Sequence, residues 1–310
     1  MISIALTTYN GEKYIQEQID SIMSQTITDF ELIITDDLSS DRTFEILTSY
    51  AKKDNRVKPY RNEHNLGYPK NFEKAISLCS GEYIALSDQD DVWTKDHLEK
   101  LYNAITSEKN LTLSCANSTI TDKDLRPIQL LKPRTYKVSE EQKKQFFQAM
   151  HGNFAQGCCL MFDARLNEQL LPFPKEEKFH DYWILFVAVA NGKVKYIPDS
   201  IEFYRQHENN FDGAVKRTFI KKIKNALNGK VEIGQKMVTW LKPVEKIPEV
   251  QMNQEKKSIY NQAVKYWTVL KENKSRRSTL KYFWDNYKMM FFKDNNKGRF
   301  FRTVKMIFKM

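Results

Sequence analysis

The sequence predicts an α/β fold, with a mostly parallel sheet covered by helices on both faces. Over the first hundred residues, short β-rich runs alternate with amphipathic helical stretches. Several of those runs end in polar clusters, as expected where ligands bind beyond the carboxyl ends of parallel strands. A chain of 310 residues that is 41% hydrophobic can bury a core large enough for such a sheet.

Ile2 to Thr7 is strand-like, and a helix follows from about Gly11 to Ser24, with Ile15, Ile19 and Ile22 on one face. Phe30 to Thr35 is a second β-rich run. Asp36-Asp37-Leu38-Ser39-Ser40-Asp41 then forms a turn that can cap a helix carrying Phe44, Leu47 and Ala51. A short strand at Val57 to Tyr60 precedes a loop from Asn62 to Pro69. Phe72, Ile76 and Cys79 line the next helix, and Tyr83 to Leu86 is the fourth strand. A helix near Lys95 to Ile105 closes this half.

The middle is less regular. Leu111 to Asn117 and Gly157 to Phe162 read as strands, with a helix around Glu140 to Met150 between them. Asp181 to Ala190 is apolar on most sides, so it is expected to be a buried helix beginning with His180-Asp181. Val194 to Ile197 and Ile201 to Tyr204 are short β runs leading into the polar Arg205-to-Asn210 segment. Beyond residue 212 the pattern turns helical, with Val215, Phe219, Ile223 and Leu227 on one stripe and Ile259, Ala263, Tyr266 and Leu270 on another. Near the end, Phe300, Phe301, Val304, Ile307 and Phe308 fall within an arc of roughly 120° opposite Arg302, Lys305 and Lys309.

The net charge of +10 is unevenly divided. Residues 213–310 hold 24 Lys+Arg against 7 Asp+Glu, a net of +17, whereas residues 1–212 hold 25 against 32, a net of −7. Two units are therefore expected: 1–212, with a ligand-binding half at about 1–110 and a second half at 111–212, and a basic helical extension at 213–310. Helices with Lys/Arg on one side and Phe/Trp on the other lie in membrane interfaces. This points to a peripheral position on the cytoplasmic membrane surface, the alternative being a helical subdomain packed on the sheet. Met1 to Thr8 reads as a strand and not as a signal peptide, and no run reaches the ~18–20 apolar residues of a span. The four cysteines have no CxxC spacing, which argues against a zinc site or a disulfide framework.

The most informative stretch is Gly81 to Trp93. Its strand runs into Asp88-Gln89-Asp90-Asp91, and several like charges at a strand tip are costly unless a cation neutralises them. A divalent metal that carries a diphosphate accounts for such a tip, since Mg²⁺ prefers oxygen ligands and leaves room for phosphates. A solvated acidic turn that caps the next helix is the competing account.

Four pieces in this order resemble the family 2 glycosyltransferases of the GT-A fold, inverting enzymes that use nucleotide sugars: Leu6 to Glu12, Ile34 to Asp41, Asn65-Leu66-Gly67, and Gly81 to Trp93. The resemblance covers Met1 to roughly Asn210 and implies a Rossmann-like, mixed but mostly parallel sheet. Leu86 to Trp93, His180-Asp181-Tyr182-Trp183 and Tyr204-Arg205-Gln206-His207 look closest to the bacterial rhamnosyltransferase-like branch.

It implies that Tyr9 stacks on a pyrimidine base, that Asp37 accepts the base N–H, and that Thr7, Glu12 and Asn65 belong to the same nucleotide-sugar site. Glu12 could equally serve as a helix-capping acid. Asp88 and Asp90 match the DxD pair that holds Mg²⁺ or Mn²⁺, and Asp91 is either a supporting acid or a helix cap. Asp181 is expected to be the catalytic base, with helix capping as the alternative. Arg205 and His207 are expected at the diphosphate or the metal.

The expected activity is metal-dependent, inverting transfer of a sugar, rhamnose being one possibility, in bacterial cell-surface polysaccharide synthesis. Donor and acceptor would be a UDP- or dTDP-linked sugar and a lipid-linked or glycan acceptor. A non-catalytic nucleotide-sugar-binding scaffold is one alternative. The other, nucleic-acid binding through the basic extension, is disfavoured because no RRM, KH or zinc-finger pattern is present.

Overall fold

The computed structural model describes residues 1–128, 136–175, 179–207, 235–247, 252–272, 281–286 and 290. The first half alternates as the periodicity predicts: β1 (Ile2–Thr8), α1 (Ile15–Met23), β2 (Phe30–Asp36), α2 (Thr43–Ala51), β3 (Val57–Arg61), α3 (Tyr68–Ser77) and β4 (Tyr83–Ser87). The remainder is β5 (Val92–Trp93), α4 (His97–Thr106), β6 (Leu111–Thr121), α5 (Gln142–Ala149), β7 (Leu160–Asp163), α6 (Asn167–Leu170), α7 (His180–Asn191), β8 (Lys193–Arg205) and α8 (Gln254–Glu272).

Eight strands form one sheet in the order β3-β2-β1-β4-β7-β6-β8-β5. The β3-β2-β1-β4 half is parallel. In the other half β7 runs antiparallel to both β4 and β6, while β6 and β8 pair in parallel. The two β runs expected at Val194–Ile197 and Ile201–Tyr204 are one long strand, β8, whose pairing with β6 shifts register at several points. Gly157 to Cys159 is a 3-10 turn and not part of a strand, so β7 begins at Leu160.

The chain leaves β1 outward to β2 and β3, then crosses back to place β4 on the other side of β1. Strand order reverses at β1 and β4, and in such sheets ligands bind beyond the carboxyl ends of the strands at that point. Register puts the strand tips there together, with Thr8 beside Asp36 and Leu6 beside Ser87.

Each face of the sheet carries its own core. One packs Ile4, Leu6, Ile15, Ile19, Leu32 and Leu98 beneath α1, α2 and α4. The other packs Phe72, Phe146, Phe162 and all of α7 from Tyr182 to Ala190. That second core continues into the C-terminal part: Leu241, Val244, Ala263 and Phe283 are fully buried in it, with Tyr266 and Trp267 nearly so. The division at residue 212 is one of charge, and apolar packing crosses it. The Phe300-to-Phe308 stripe and the Val215-to-Leu227 helix lie outside the described residues.

Candidate active site

Tyr9 follows β1 with its side chain half exposed. Its backbone is fixed by Gln89, whose amide accepts from the Tyr9 N–H at 2.9 Å and donates to the Tyr9 carbonyl at 3.1 Å. Asn10 takes a positive φ of 49° and ties the β1 and β2 loops together. It donates its N–H to Ser39 Oγ at 2.9 Å and accepts from the Ser40 N–H at 2.9 Å. Glu12 sits at the same junction, accepting from the Arg42 N–H at 2.9 Å, while Thr7 is buried within β1.

Asp37 is buried and turned toward the loop after β3. Its Oδ1 accepts from Asn62 Nδ2 at 2.8 Å and from the Leu66 N–H at 2.7 Å; its Oδ2 accepts from the Gly67 N–H at 2.9 Å. Asn65 donates to the Asp37 carbonyl at 3.1 Å. One acid thus organises the Asn62-to-Gly67 loop, and Gly67 supplies the φ of 81° that this turn needs.

The acidic segment after β4 splits in three directions. Asp88 accepts from the Tyr68 hydroxyl at 3.2 Å. Asp90 meets His207 Nε2 at 2.8 Å. Asp91 is fully buried and accepts the Arg205 N–H at 2.9 Å. Burial pushes the Asp88 carboxyl up to about 7, the Asp90 charge adds to this, and the Tyr68 hydrogen bond opposes it. Burial, then the Asp90 charge, also drives Asp91 well above the usual carboxylate range.

Arg205 does not reach the rim. Its side chain is 3% exposed and donates to the Asp90 carbonyl at 2.8 Å, to the Lys123 carbonyl at 2.7 Å and to Glu17. The ring of Tyr14 covers the guanidinium at 4.6 Å. In this arrangement Arg205, expected at the diphosphate or the metal, braces the acidic loop from behind.

Asp181 lies in the first turn of α7. Asn153 Nδ2 donates to its Oδ2 at 2.8 Å. Burial raises its carboxyl to about 6, against hydrogen bonds from the Tyr182 N–H, Asn153 and the Gly157 N–H. Asp181 and Asp88 are close enough for their charges to interact. A raised, anchored carboxylate at a cleft is what a general base near neutral pH requires.

The donor set fits a hard divalent cation. Asp88 and Asp90 offer carboxylate oxygens after β4; burial and then the Asp90 charge raise the Asp88 carboxyl, and a bound cation would favour its ionised form. Asp88, Asp91 and Cys158 also bring ligand atoms within 4.8 Å of one another. Burial holds the Cys158 thiol protonated, so oxygens would do the binding.

Gln89, Tyr68, Asn153 and Glu17 were not singled out in the sequence. Gln89 had a signal, since it lies inside the acidic motif, and Tyr68 follows Asn65-Leu66-Gly67 directly. Asn153 and Glu17 had none; each reaches its partner across the fold.

The Glycosyl transferase family 2 sequence model matches residues 3–171. The chain belongs to that family. Its sheet and flanking helices have the GT-A fold, and its motif positions lie at the tips of the parallel strands. Among curated relatives, an uncharacterized glycosyltransferase of Methanocaldococcus jannaschii is 31% identical over 61% of this chain and 65% of its own length. The dTDP-rhamnosyl transferase RfbG of Shigella flexneri is 32% identical over 67% of this chain and 74% of its own. The chain spans less than two thirds of the length of several curated glycosyltransferases it matches. A solved mannosyltransferase from Pyrobaculum calidifontis, in complex with GDP-Man and Mn²⁺, shares the fold at a TM-score of 0.56. It covers 99% of this chain and 84% of that one at 14% identity.

Proposed function

We propose that this glycosyltransferase moves a sugar, with inversion, from a nucleoside-diphosphate donor to a glycan or lipid-linked acceptor in bacterial surface-polysaccharide synthesis. The observation that carries this reading is Asp181, anchored by Asn153 within charge-interaction range of Asp88 and with its carboxyl raised to about 6. In a single displacement the acceptor hydroxyl attacks the anomeric carbon, the bond to the diphosphate breaks on the opposite face, and Asp181 takes the hydroxyl proton. The nucleoside diphosphate leaves, and no enzyme nucleophile is needed.

The exposed ring of Tyr9 is available to stack on the base, with Gln89 fixing its backbone. A carboxylate has about four lone-pair sites. Asp37 uses three on the loop, leaving one for a base N–H. Thr7, Glu12 and Asn65 complete the nucleoside side. Asp88 and Asp90 would hold Mg²⁺ or Mn²⁺, with His207 beside Asp90. Such a cation neutralises charge on the departing diphosphate. The RfbG likeness favours a dTDP-linked rhamnose donor.

The test is a donor screen: dTDP-rhamnose, UDP-glucose, UDP-galactose and UDP-GlcNAc, each with Mn²⁺ and with EDTA. One nucleotide sugar should raise Tm by several degrees, as saturating ligand does, and be consumed only with metal. Stabilisation by none of them, or equal turnover in EDTA, would remove the donor and metal roles respectively.

No helix among the described residues is long and apolar enough to cross a membrane. The +17 charge of residues 213–310 supports a peripheral place on an anionic, cytoplasmic membrane face, each nearby basic residue contributing about 1 kcal/mol. Deleting residues 293–310 should release the protein from anionic liposomes in a sedimentation assay. Unchanged co-sedimentation would leave those residues without that role.

A further inference from the structure

His180 precedes the proposed base, and the transfer reaction described above does not use it. Its ring is 2% exposed, yet among the described residues neither ring nitrogen has a hydrogen-bond partner. Buried polar atoms are nearly always paired, so an interior imidazole with both nitrogens unmet needs an explanation. Burial drives it down to about 3, so the ring is neutral at any working pH, with one nitrogen a donor and the other an acceptor.

Its surroundings are apolar on one side and catalytic on the other. The ring stacks on Phe72 with centroids 3.9 Å apart and planes 13° from parallel. It meets Tyr68 edge-on at 5.1 Å, and the Tyr68 hydroxyl donates to Asp88. On its far side it lies against Gly157. A Cβ there would stand 2.9 Å from His180 Nε2 and 3.5 Å from the Asp181 Cβ, so a larger residue would displace the ring or the base. The Gly157 N–H in turn bonds to Asp181. One side chain therefore touches both the residue that holds the first acid of the DxD pair and the residue that anchors the base. A phenyl ring would supply the stacking equally well; the nitrogens are what packing leaves unexplained.

We infer that His180 is a positioning residue for transfer: its ring sets the spacing between Asp181 and the Tyr68–Asp88 pair, and its unpaired nitrogens gain a hydroxyl partner when the site is filled. The partner is a hydroxyl of the donor sugar or of water carried in with it. This inference rests on Asp181 as the base, and its failure is separable. Full turnover in Asp181→Asn would remove the base, whereas an unaffected His180 variant beside an inactive Asp181→Asn would remove only the present inference.

The test uses the full chain. His180→Phe keeps the stacking and deletes both nitrogens. Tm should hold or rise, KM for the donor should change little, and kcat should fall by about 10²-fold, the scale of a small misplacement of reacting groups. His180→Gln, which keeps a hydrogen-bonding group, should recover part of that loss. If His180→Phe turns over at the wild-type rate with equal or higher Tm, the histidine is packing alone and the inference falls. Should the phenylalanine variant fail to fold, ¹⁵N imidazole spectra of the wild type decide. A His180 ring nitrogen should shift on adding the nucleotide sugar with Mg²⁺. A shift with nucleotide sugar but not with UDP identifies the sugar hydroxyl, and a shift with both identifies water. No shift with either overturns the proposal.

Discussion

Asp181→Asn should lower kcat by about 10²–10⁴-fold, the usual contribution of a positioned general base, while nucleotide binding stays near wild type. The amide is nearly isosteric, and its single oxygen can still accept from Asn153, so the shape at the start of α7 is kept. The proton-accepting carboxylate is lost, with one accepting oxygen. The pH profile makes this sharper. Because burial raises the Asp181 carboxyl to about 6 from the ordinary 3.8, it carries a proton below that point and cannot act as a base. Wild-type kcat should therefore fall as pH drops through about 6 and level off above it, and the variant should lack this limb. Stability moves the other way. A carboxyl raised on folding costs the fold nothing below its unfolded pKa, and the cost grows as pH rises from 3.8 to about 6. Asp181→Asn should thus match or exceed wild-type Tm at pH 8, about where the cost is fully expressed, with the advantage gone near pH 4. Wild-type turnover in the variant would remove Asp181 from the reaction.

A chain ending at residue 212 should fail to give a stable fold, although the charge division makes that the natural place to cut. The removed part supplies Leu241, Val244, Ala263 and Phe283, all fully buried, to the core shared with α5 and α7. Polar contacts run the same way: Trp267 Nε1 donates to the Met150 carbonyl at 3.2 Å, and the Tyr282 hydroxyl pairs with His151 Nε2 at 3.2 Å. Burying each large apolar side chain contributes about 1.5–3 kcal/mol, and a domain's whole stability is about 5–15 kcal/mol. Losing several at once is therefore enough to unfold the remainder or expose a sticky face. Thermal melts and dye binding on residues 1–212 should show low Tm and exposed apolar surface. The single change Trp267→Ala should cost about 3–5 kcal/mol in urea titration. A truncated chain with wild-type Tm would mean that the shared core contributes little.

Legibility differed by element for physical reasons. The β1-to-β4 alternation was readable because helix and strand periods are written locally, in the spacing of Ile15, Ile19 and Ile22 or the run from Tyr83 to Leu86. The acids at 88 and 90 stood out because carboxylates clustered at a strand tip need a purpose, and the family resemblance singled out those at 37 and 181. Their directions were not readable. Asp37 turns inward to Asn62, Leu66 and Gly67, Asp90 turns to His207, and Asp91 goes beneath to Arg205. Arg205, which the family resemblance placed at the diphosphate or the metal, is buried against Glu17, 188 residues away.

The sequence alone determined the parallel half-sheet and the placing of polar clusters at its rim, for which local spacing and residue chemistry are sufficient; the glycosyltransferase family came from the resemblance of its motifs and the family model over residues 3–171. Only the tertiary structure decided that β7 would enter antiparallel between β4 and β6, that Asn153 would anchor Asp181, and that the basic extension would share the catalytic core. Each depends on which distant surfaces meet, because a polar side chain takes its direction from the partner that satisfies it, and that partner is chosen by packing.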